Sequence, residues 1–360
     1  MYALSDAKLR DGAAMTASTD FHHATMPQPL RTRLERVIRR WSRRPRRARH
    51  FQFCYEHVLG TSLELQVTAT SERAAQRADA RALAEIDRLA PILSGWSPTS
   101  ELALWLATFD ADVPVSADLA EVLHASATWR ARTRGAFDPA AQSIVERLRA
   151  GGASDDATFP APHEPLWHVD RAGRTARRLA RHAVSLDAIA KGYVVARSAA
   201  CARAVDGVSD VLLNVGGDIQ HYGEHAVLAG VADPFAPAEN APPAAAVRLQ
   251  NAALATSGGY RRGFVLDGRR VSHIVDPRTG QPAERIASAS VLAPDCATAD
   301  ALSTAFSVMA PDESLALADA LGVGCLLVEQ DGTVSTNTAW NDRAAAPRHD
   351  STSREEPHAR

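Results

Sequence analysis

Lysine is nearly missing from this chain. Of 360 residues only Lys8 and Lys191 are lysine, and every other fixed cation is arginine. Such a chain keeps an ammonium by chance, or where a compact point charge does what a planar guanidinium cannot. Cysteine is also scarce. Cys54, Cys201, Cys296 and Cys325 are widely scattered and form no C-x-x-C pair. This argues against a zinc site and demands no disulfide. Long apolar runs are absent too. None approaches the roughly 18 residues of a membrane helix, so no transmembrane segment is expected. Arg39-Arg40-Trp41-Ser42-Arg43-Arg44 superficially matches a twin-arginine signal, but more arginine follows where an apolar run is needed. Starting at Met15 or Met26 creates no signal either. The expectation is a cytoplasmic protein, with a periplasmic or membrane-associated one open if the true start differs.

What is present is a sizeable core and an uneven charge. Apolar residues make up 46% of the chain and the net charge is -2. Residues 1–50 hold eleven arginines and Lys8 against four acids, and read as a basic arm, disordered or partly helical over 30–43. Residues 51–340 hold 24 cations against 34 acids and read as the folded body, and 341–360 as a polar tail. An acidic body argues against nucleic acid as a partner. Any phosphate must then be held by local devices: a metal, backbone N–H groups or a lone cation.

The pattern along the body mixes hairpins with helices, which points to an α+β fold. Residues 51–70 alternate loosely and end in a strand at Leu63–Val67. Apolar spacing predicts helices over 72–93, 116–134, 141–148, 186–205, 299–308 and 311–321. Ser116 caps one of them and Gly135 stops it. Residues 151–165 form a Gly/Asp/Pro-rich loop. Strands are predicted at 211–215, 226–231, 246–255 and 289–292. Asp267-Gly268 and Asp331-Gly332 mark two hairpins.

The chemistry concentrates in a few runs. Asp300 and Thr304 lie four residues apart, so a helix stacks their oxygens on one face with Ser303 beside them. Hard oxygen donors suit Mg²⁺. About 25 residues upstream, Ser272-His273-Ile274-Val275-Asp276-Pro277-Arg278-Thr279-Gly280 packs polar groups into a strand end and a tight turn. Together they suggest a metal-assisted reaction on a phosphate-bearing ligand. His273 serves there either as a general base or as a structural hydrogen-bonding group. Asp276 and Arg278 could simply clamp the turn. Lys191 sits in a helix start, where free N–H groups favour an anion. Asn214-Val215-Gly216-Gly217-Asp218 is a tight turn or a ligand contact, and lacks the full dinucleotide fingerprint. Tyr260, after Ser257-Gly258-Gly259, stacks on a ligand or packs.

Seven runs, in order, resemble the ApbE family, the FAD:protein FMN transferases. They are Leu59-Gly60-Thr61, Trp96 through Ser100-Glu101-Leu102, Thr133 to Pro139 with its Gly135-Ala136-Phe137-Asp138 core, Ile189-Ala190-Lys191-Gly192-Tyr193, Gly216-Gly217-Asp218-Ile219, Ser272 to Gly280, and Ala299-Asp300-Ala301-Leu302-Ser303-Thr304. The resemblance covers about 55–340. It implies mixed, largely antiparallel sheets flanked by helices, a T-fold-like arrangement of two intertwined subdomains. It implies FAD as substrate, Mg²⁺ as metal, and an acceptor protein whose Ser or Thr hydroxyl attacks the FMN-side phosphorus while AMP leaves. By that resemblance Mg²⁺ is held by Asp300, Thr304, Ser303 and the main-chain carbonyl of Ala188. His273 is the base, and Leu59, Trp96, Ala136, Phe137, Asp138, Lys191 and Ile274 line the flavin site. Ser185 stands where the family usually has a flavin-contacting Asp, and Asp187, two residues on, leaves the chain at another angle. The runner-up readings are an FAD pyrophosphatase releasing FMN and AMP, and a non-catalytic flavin-binding protein. The oligomeric state is not legible.

Overall fold

The computed structural model describes residues 48–149, 164–236, 241–259, 263–266 and 269–345. The expected arm, nearly all of the 151–165 loop, Tyr260, Asp267-Gly268 and the far tail lie outside the described residues. β1 (Arg49–Val58) and β2 (Thr61–Ala69) pair as an antiparallel hairpin turned at Leu59 and Gly60, with φ of +50° and +77°. Sequence spacing showed only its second arm. A register shift between Tyr55 and Val58, with His57 at φ +59°, breaks the alternation of the first.

Three serines start the next helices. Ser71, Ser100 and Ser116 accept from Ala74, Ala103 and Leu119 N–H groups, opening α1 (Glu72–Leu93), α2 (Glu101–Leu106) and, after β3 (Val113–Pro114), α3 (Ala117–Arg132). α4 (Ala141–Arg149) follows. β4 (Trp167–Asp170) and β5 (Thr175–Arg178), which the sequence reading did not anticipate, join β3 in a small sheet. Then come α5 (Asp187–Arg203), β6 (Val208–Val215) and β7 (Asp218–Gly223). The Asn214–Asp218 run is the hairpin turn between these two strands, with Gly216 and Gly217 at φ +63° and +99°.

The single strand expected over 246–255 is two. β8 (Val227–Val231) and β9 (Ala245–Leu249) pair with each other, and β10 (Ala252–Ser257) returns to the main sheet. Asn251, at φ +47°, makes the break. Two short hairpins follow: β11 (Gly263–Leu266) with β12 (Arg269–Ser272), and β13 (Val275–Asp276) with β14 (Gln281–Pro282). β15 (Ile286–Ala293) leads to α6 (Cys296–Phe306), capped by Asp295, and α7 (Pro311–Leu321), ended by Gly322 at φ +67°. β16 (Gly324–Glu329), β17 (Val334–Thr336), α8 (Thr338–Asn341) and β18 (Ala344–Ala345) close the described chain. β18 pairs with β9, so the fold continues past residue 341, where a tail was expected.

An eight-stranded antiparallel sheet, ordered β1-β2-β6-β7-β10-β15-β16-β17, organises everything. Its strands come from both ends of the body, so no single cut divides it. Alternating residues serve two cores. Val211, Leu213, Val215, Ala289 and Val291 face α1, α5 and α6, while Leu212, Leu254, Leu292 and Leu326 face the small β18-β9-β8 sheet. α5 and α6 meet with almost no gap. A Cβ on Gly192 would lie 2.9 Å from Ala297 Cα and closer still to the Cys296 carbonyl oxygen. Both obstacles are backbone. Gly192→Ala is therefore expected to cost about 1–3 kcal/mol, the range for overpacking a filled core. Urea denaturation checks this as a lowered midpoint at unchanged slope.

Candidate functional site

The N-terminal turn of α5 is where the candidate residues converge. Leu186 precedes it without a side-chain cap, and Ser185 Oγ instead accepts from Asp187 N–H at 3.1 Å. So the serine in the place of the usual acid satisfies a free helix donor. Ser185 N–H donates to the Pro139 carbonyl at 3.0 Å, which ties this turn to the 136–138 segment. Across the turn, Asp187 Oδ1 lies 3.6 Å from where a Cβ on Gly95 would be, beside Trp96.

Lys191, one turn further along, meets a carboxylate. Its Nζ is 2.6 Å from Asp218 Oδ2, and the Asp218 side chain is 3% exposed. Gly216 puts Asp218 there. A Cβ on Gly216 would fall 2.7 Å from Thr61 Cγ2, so the β6–β7 turn lies against the Leu59-Gly60-Thr61 turn of β1–β2. Leu59 and Lys191 are thus brought to the same end of the sheet.

Asp300 completes the group. Its Oδ2 accepts from Gly192 N–H at 3.1 Å. Gly192 N–H is the donor that closes the helical turn on the Ala188 carbonyl. Drawing it to Asp300 places that carbonyl and the carboxylate around one donor. Ser303 Oγ lies 2.8 Å and Thr304 Oγ1 3.3 Å from Ser257 Oγ at the end of β10. Ser303 Oγ also donates to the Asp300 carbonyl at 3.0 Å.

The charges do not balance. Asp218 and Asp300 share one ammonium. Burial, then the Asp218 charge, pushes the Asp300 carboxyl up to about 8. Burial likewise raises Asp218, against the pull of Lys191. Burial alone would lower Lys191, but the Asp218 and Asp300 charges outweigh it and raise it. A cation would relieve this excess. Among the described residues no three His, Cys, Asp or Glu side chains cluster as a metal site. Hydroxyl and carbonyl oxygens must complete any donor set. A carboxylate, two hydroxyls and a peptide carbonyl are hard donors, and they fit Mg²⁺.

Other expected residues stand differently. Ala136 and Phe137 are buried, each 2% exposed, so only their main chain can address a ligand. The Asp138 carboxylate is held by Arg130 at 2.6 Å and by Ala140 N–H, and burial nonetheless raises its pKa. That carboxylate braces its own loop. Trp96 is 86% exposed and Leu59 37%, both open to a ligand. His273 lies half-buried between β12 and β13. Ser272 Oγ accepts from Ile274 N–H, and the Ile274 carbonyl accepts from Ala283 N–H, which fixes the backbone on its far side. Arg278 clamps its turn through Asp276, the Val308 carbonyl and Glu313. Sequence reasoning gave no role to Asp218 or Ser257, although both stand in runs it singled out.

Known proteins resemble this chain in sequence and in fold. The ApbE family model matches residues 59–327. The FAD:protein FMN transferase of Rhodobacter capsulatus is 31% identical over 81% of this chain and 58% of its own length. That of Treponema pallidum is 32% identical over 65% of this chain and 71% of its own length. The crystal structure of the Thermotoga maritima ApbE protein superposes with a TM-score of 0.70 at 25% identity, covering 82% of this chain and all of that one. The Pseudomonas stutzeri flavinyl transferase ApbE shares the fold, with a TM-score of 0.66 at 22% identity, over 84% of this chain and 98% of that one.

Replacing Lys191 tests the charge balance. Lys191→Met strands two buried carboxylates. The expected loss is about 1–3 kcal/mol, at or below the lower end for breaking a buried pair, because Lys191 keeps part of its side chain in water. Both acids have folded pKa values above their unfolded ones, so folding disfavours their ionisation. The missing ammonium makes this worse. The deficit against wild type should therefore grow as pH rises from about 4 through about 8, which denaturation at several pH values would show.

Proposed function

Because this chain belongs to the ApbE family, we propose that it transfers the FMN part of FAD to a Ser or Thr hydroxyl of an acceptor protein, with Mg²⁺ as the metal. The observation that supports the reading is the under-neutralised pair Asp218 and Asp300 at the α5–α6 crossing, with the Ser303 and Thr304 hydroxyls on the same helix as Asp300 and the Ala188 carbonyl one helical turn before Gly192. These residues would hold a divalent cation, which would supply charge neutralisation at a pyrophosphate.

The chain's own groups do the rest. Lys191, steadied by Asp218, directs one ammonium toward the anionic ligand. The α5 N-terminus adds N–H groups. Trp96 offers an open face for the isoalloxazine ring, with Leu59 at the neighbouring turn. His273 takes the proton from the acceptor hydroxyl as its oxygen bonds to the FMN-side phosphorus. The bond from that phosphorus to the AMP-side oxygen breaks, and AMP departs with the electron pair. A neutral hydroxyl is a poor nucleophile, so removing its proton is worth about 10²–10⁴-fold.

Two measurements test this. His273→Asn should keep FAD and Mg²⁺ binding and lower single-turnover flavinylation by about 10²–10⁴-fold, followed as covalent flavin on a denaturing gel. Binding that falls in step with rate would make His273 a ligand contact instead. The FAD control is an AMP release assay with and without acceptor, because turnover independent of acceptor means water is the nucleophile. Trp96→Ala should weaken FAD binding by up to about tenfold, since stacking adds roughly 0.5–1.5 kcal/mol beyond area burial. Calorimetric titration reads it, and an unchanged affinity would place the ring elsewhere.

A further inference from the structure

β10 is an inner strand of the large sheet, held on one side by β7 and on the other by β15. Its last residue, Ser257, pairs in register with Ala289, and Thr256 before it bonds Ser290 through hydroxyls 2.8 Å apart. The strand end is therefore fixed. Two contacts are made at this end, one from Ser257 to α6 and one from Gly259 to the strand before His273.

The contact to α6 has a proton order. A hydroxyl has one proton to give and lone pairs to receive with. Ser303 gives its proton to the Asp300 carbonyl. In the 2.8 Å contact between Ser257 and Ser303 the donor must then be Ser257. With that proton used, the 3.3 Å contact to Thr304 runs from Thr304 to Ser257. The result is a directed chain from Thr304 through Ser257 and Ser303 to the Asp300 carbonyl. It turns the Thr304 proton toward Ser257 and leaves its lone pairs for a cation.

The other contact is steric. A Cβ on Gly259 would lie 2.6 Å from Ser272 Oγ and 2.9 Å from Ser272 Cβ. Ser272 immediately precedes His273, and its Oγ already accepts from Ile274 N–H. No side chain larger than hydrogen fits between β10's exit and this residue without moving it.

We propose that Ser257 and Gly259 are positioning residues: Ser257 orients the Thr304 oxygen toward the metal, and Gly259 sets His273 at a fixed separation from it. The inference rests on the metal-assisted reading above. Outer groups that orient metal ligands typically account for 10- to 100-fold in metal affinity. A misplacement of about 1 Å at a reacting group can cost about 10²-fold in rate. The two residues should therefore fail in different ways.

The test is Mg²⁺ titration by calorimetry in the presence of FAD, in acceptor-free protein, together with single-turnover transfer at saturating Mg²⁺. Ser257→Ala should weaken Mg²⁺ binding by about 10- to 100-fold, and Ser257→Thr should restore most of it. Gly259→Ala should leave Mg²⁺ affinity within about twofold and lower the transfer rate by at least about tenfold. Thermal unfolding of each variant confirms a folded protein. Unchanged Mg²⁺ affinity in Ser257→Ala overturns the first role. A parallel fall of affinity and rate in Gly259→Ala, or no fall in rate, overturns the second. If wild type itself shows no Mg²⁺ binding, the metal-assisted reading fails, and that result is distinct from either variant's.

Discussion

The close crossing of α5 over α6 is the constraint from which the site follows. At Gly192 the two helix backbones approach until no side chain fits between them. Only that approach lets a main-chain N–H of one helix reach a carboxylate of the other. It also lowers Lys191 far enough to meet Asp218 at the sheet's end. Widening the crossing by a methyl group would separate the Ala188 carbonyl from Asp300, and the ammonium from its partner, in one movement.

The proposed reaction brings an anionic substrate to an acidic body, and the conflict is resolved locally. It carries a net excess of acids over 51–340. Instead a single ammonium, the start of α5 and the oxygens of Asp300, Ser303 and Thr304 stand near the α5–α6 crossing. On the proposed reading, such a corner would hold a pyrophosphate best when a cation arrives with it, since the bare anion meets Asp218 and Asp300 with only one positive charge between them.

Much of this was legible in the sequence, and the illegible parts share a cause. The helices α1, α3 and α7 announced themselves because their signals are local: a serine cap, an apolar stripe, a terminating glycine. The Asp300–Thr304 spacing likewise survives as one helix face. What failed was non-local or irregular. The first arm of the β1–β2 hairpin was hidden by a bulge, and the β9–β10 break rests on one residue, Asn251, at positive φ. β18 lends an edge to a strand a hundred positions earlier, which no window along the chain reveals. Asp218 and Ser257 belonged to recognisable runs, yet their partners lie on α5 and α6, so their work depends on tertiary contact. Asp138, too, has a partner that its run does not reveal: Arg130, which lies on α3 eight positions earlier.

The uneven exposure of the tryptophans has an optical consequence. Trp105, Trp129, Trp167 and Trp340 are all within the core, between 2% and 9% exposed, while Trp96 stands in water at 86%. Among the described residues, then, one indole emits from a polar surrounding and four from apolar ones. Of these five, Trp96 is the one that contributes chiefly at the long-wavelength edge of the ultraviolet emission. A flavin stacked on that ring, as proposed, would take up its excitation and darken its contribution first, leaving the blue side comparatively bright. Occupancy of the corner would then show in the shape of the intrinsic spectrum as well as its intensity, without any label.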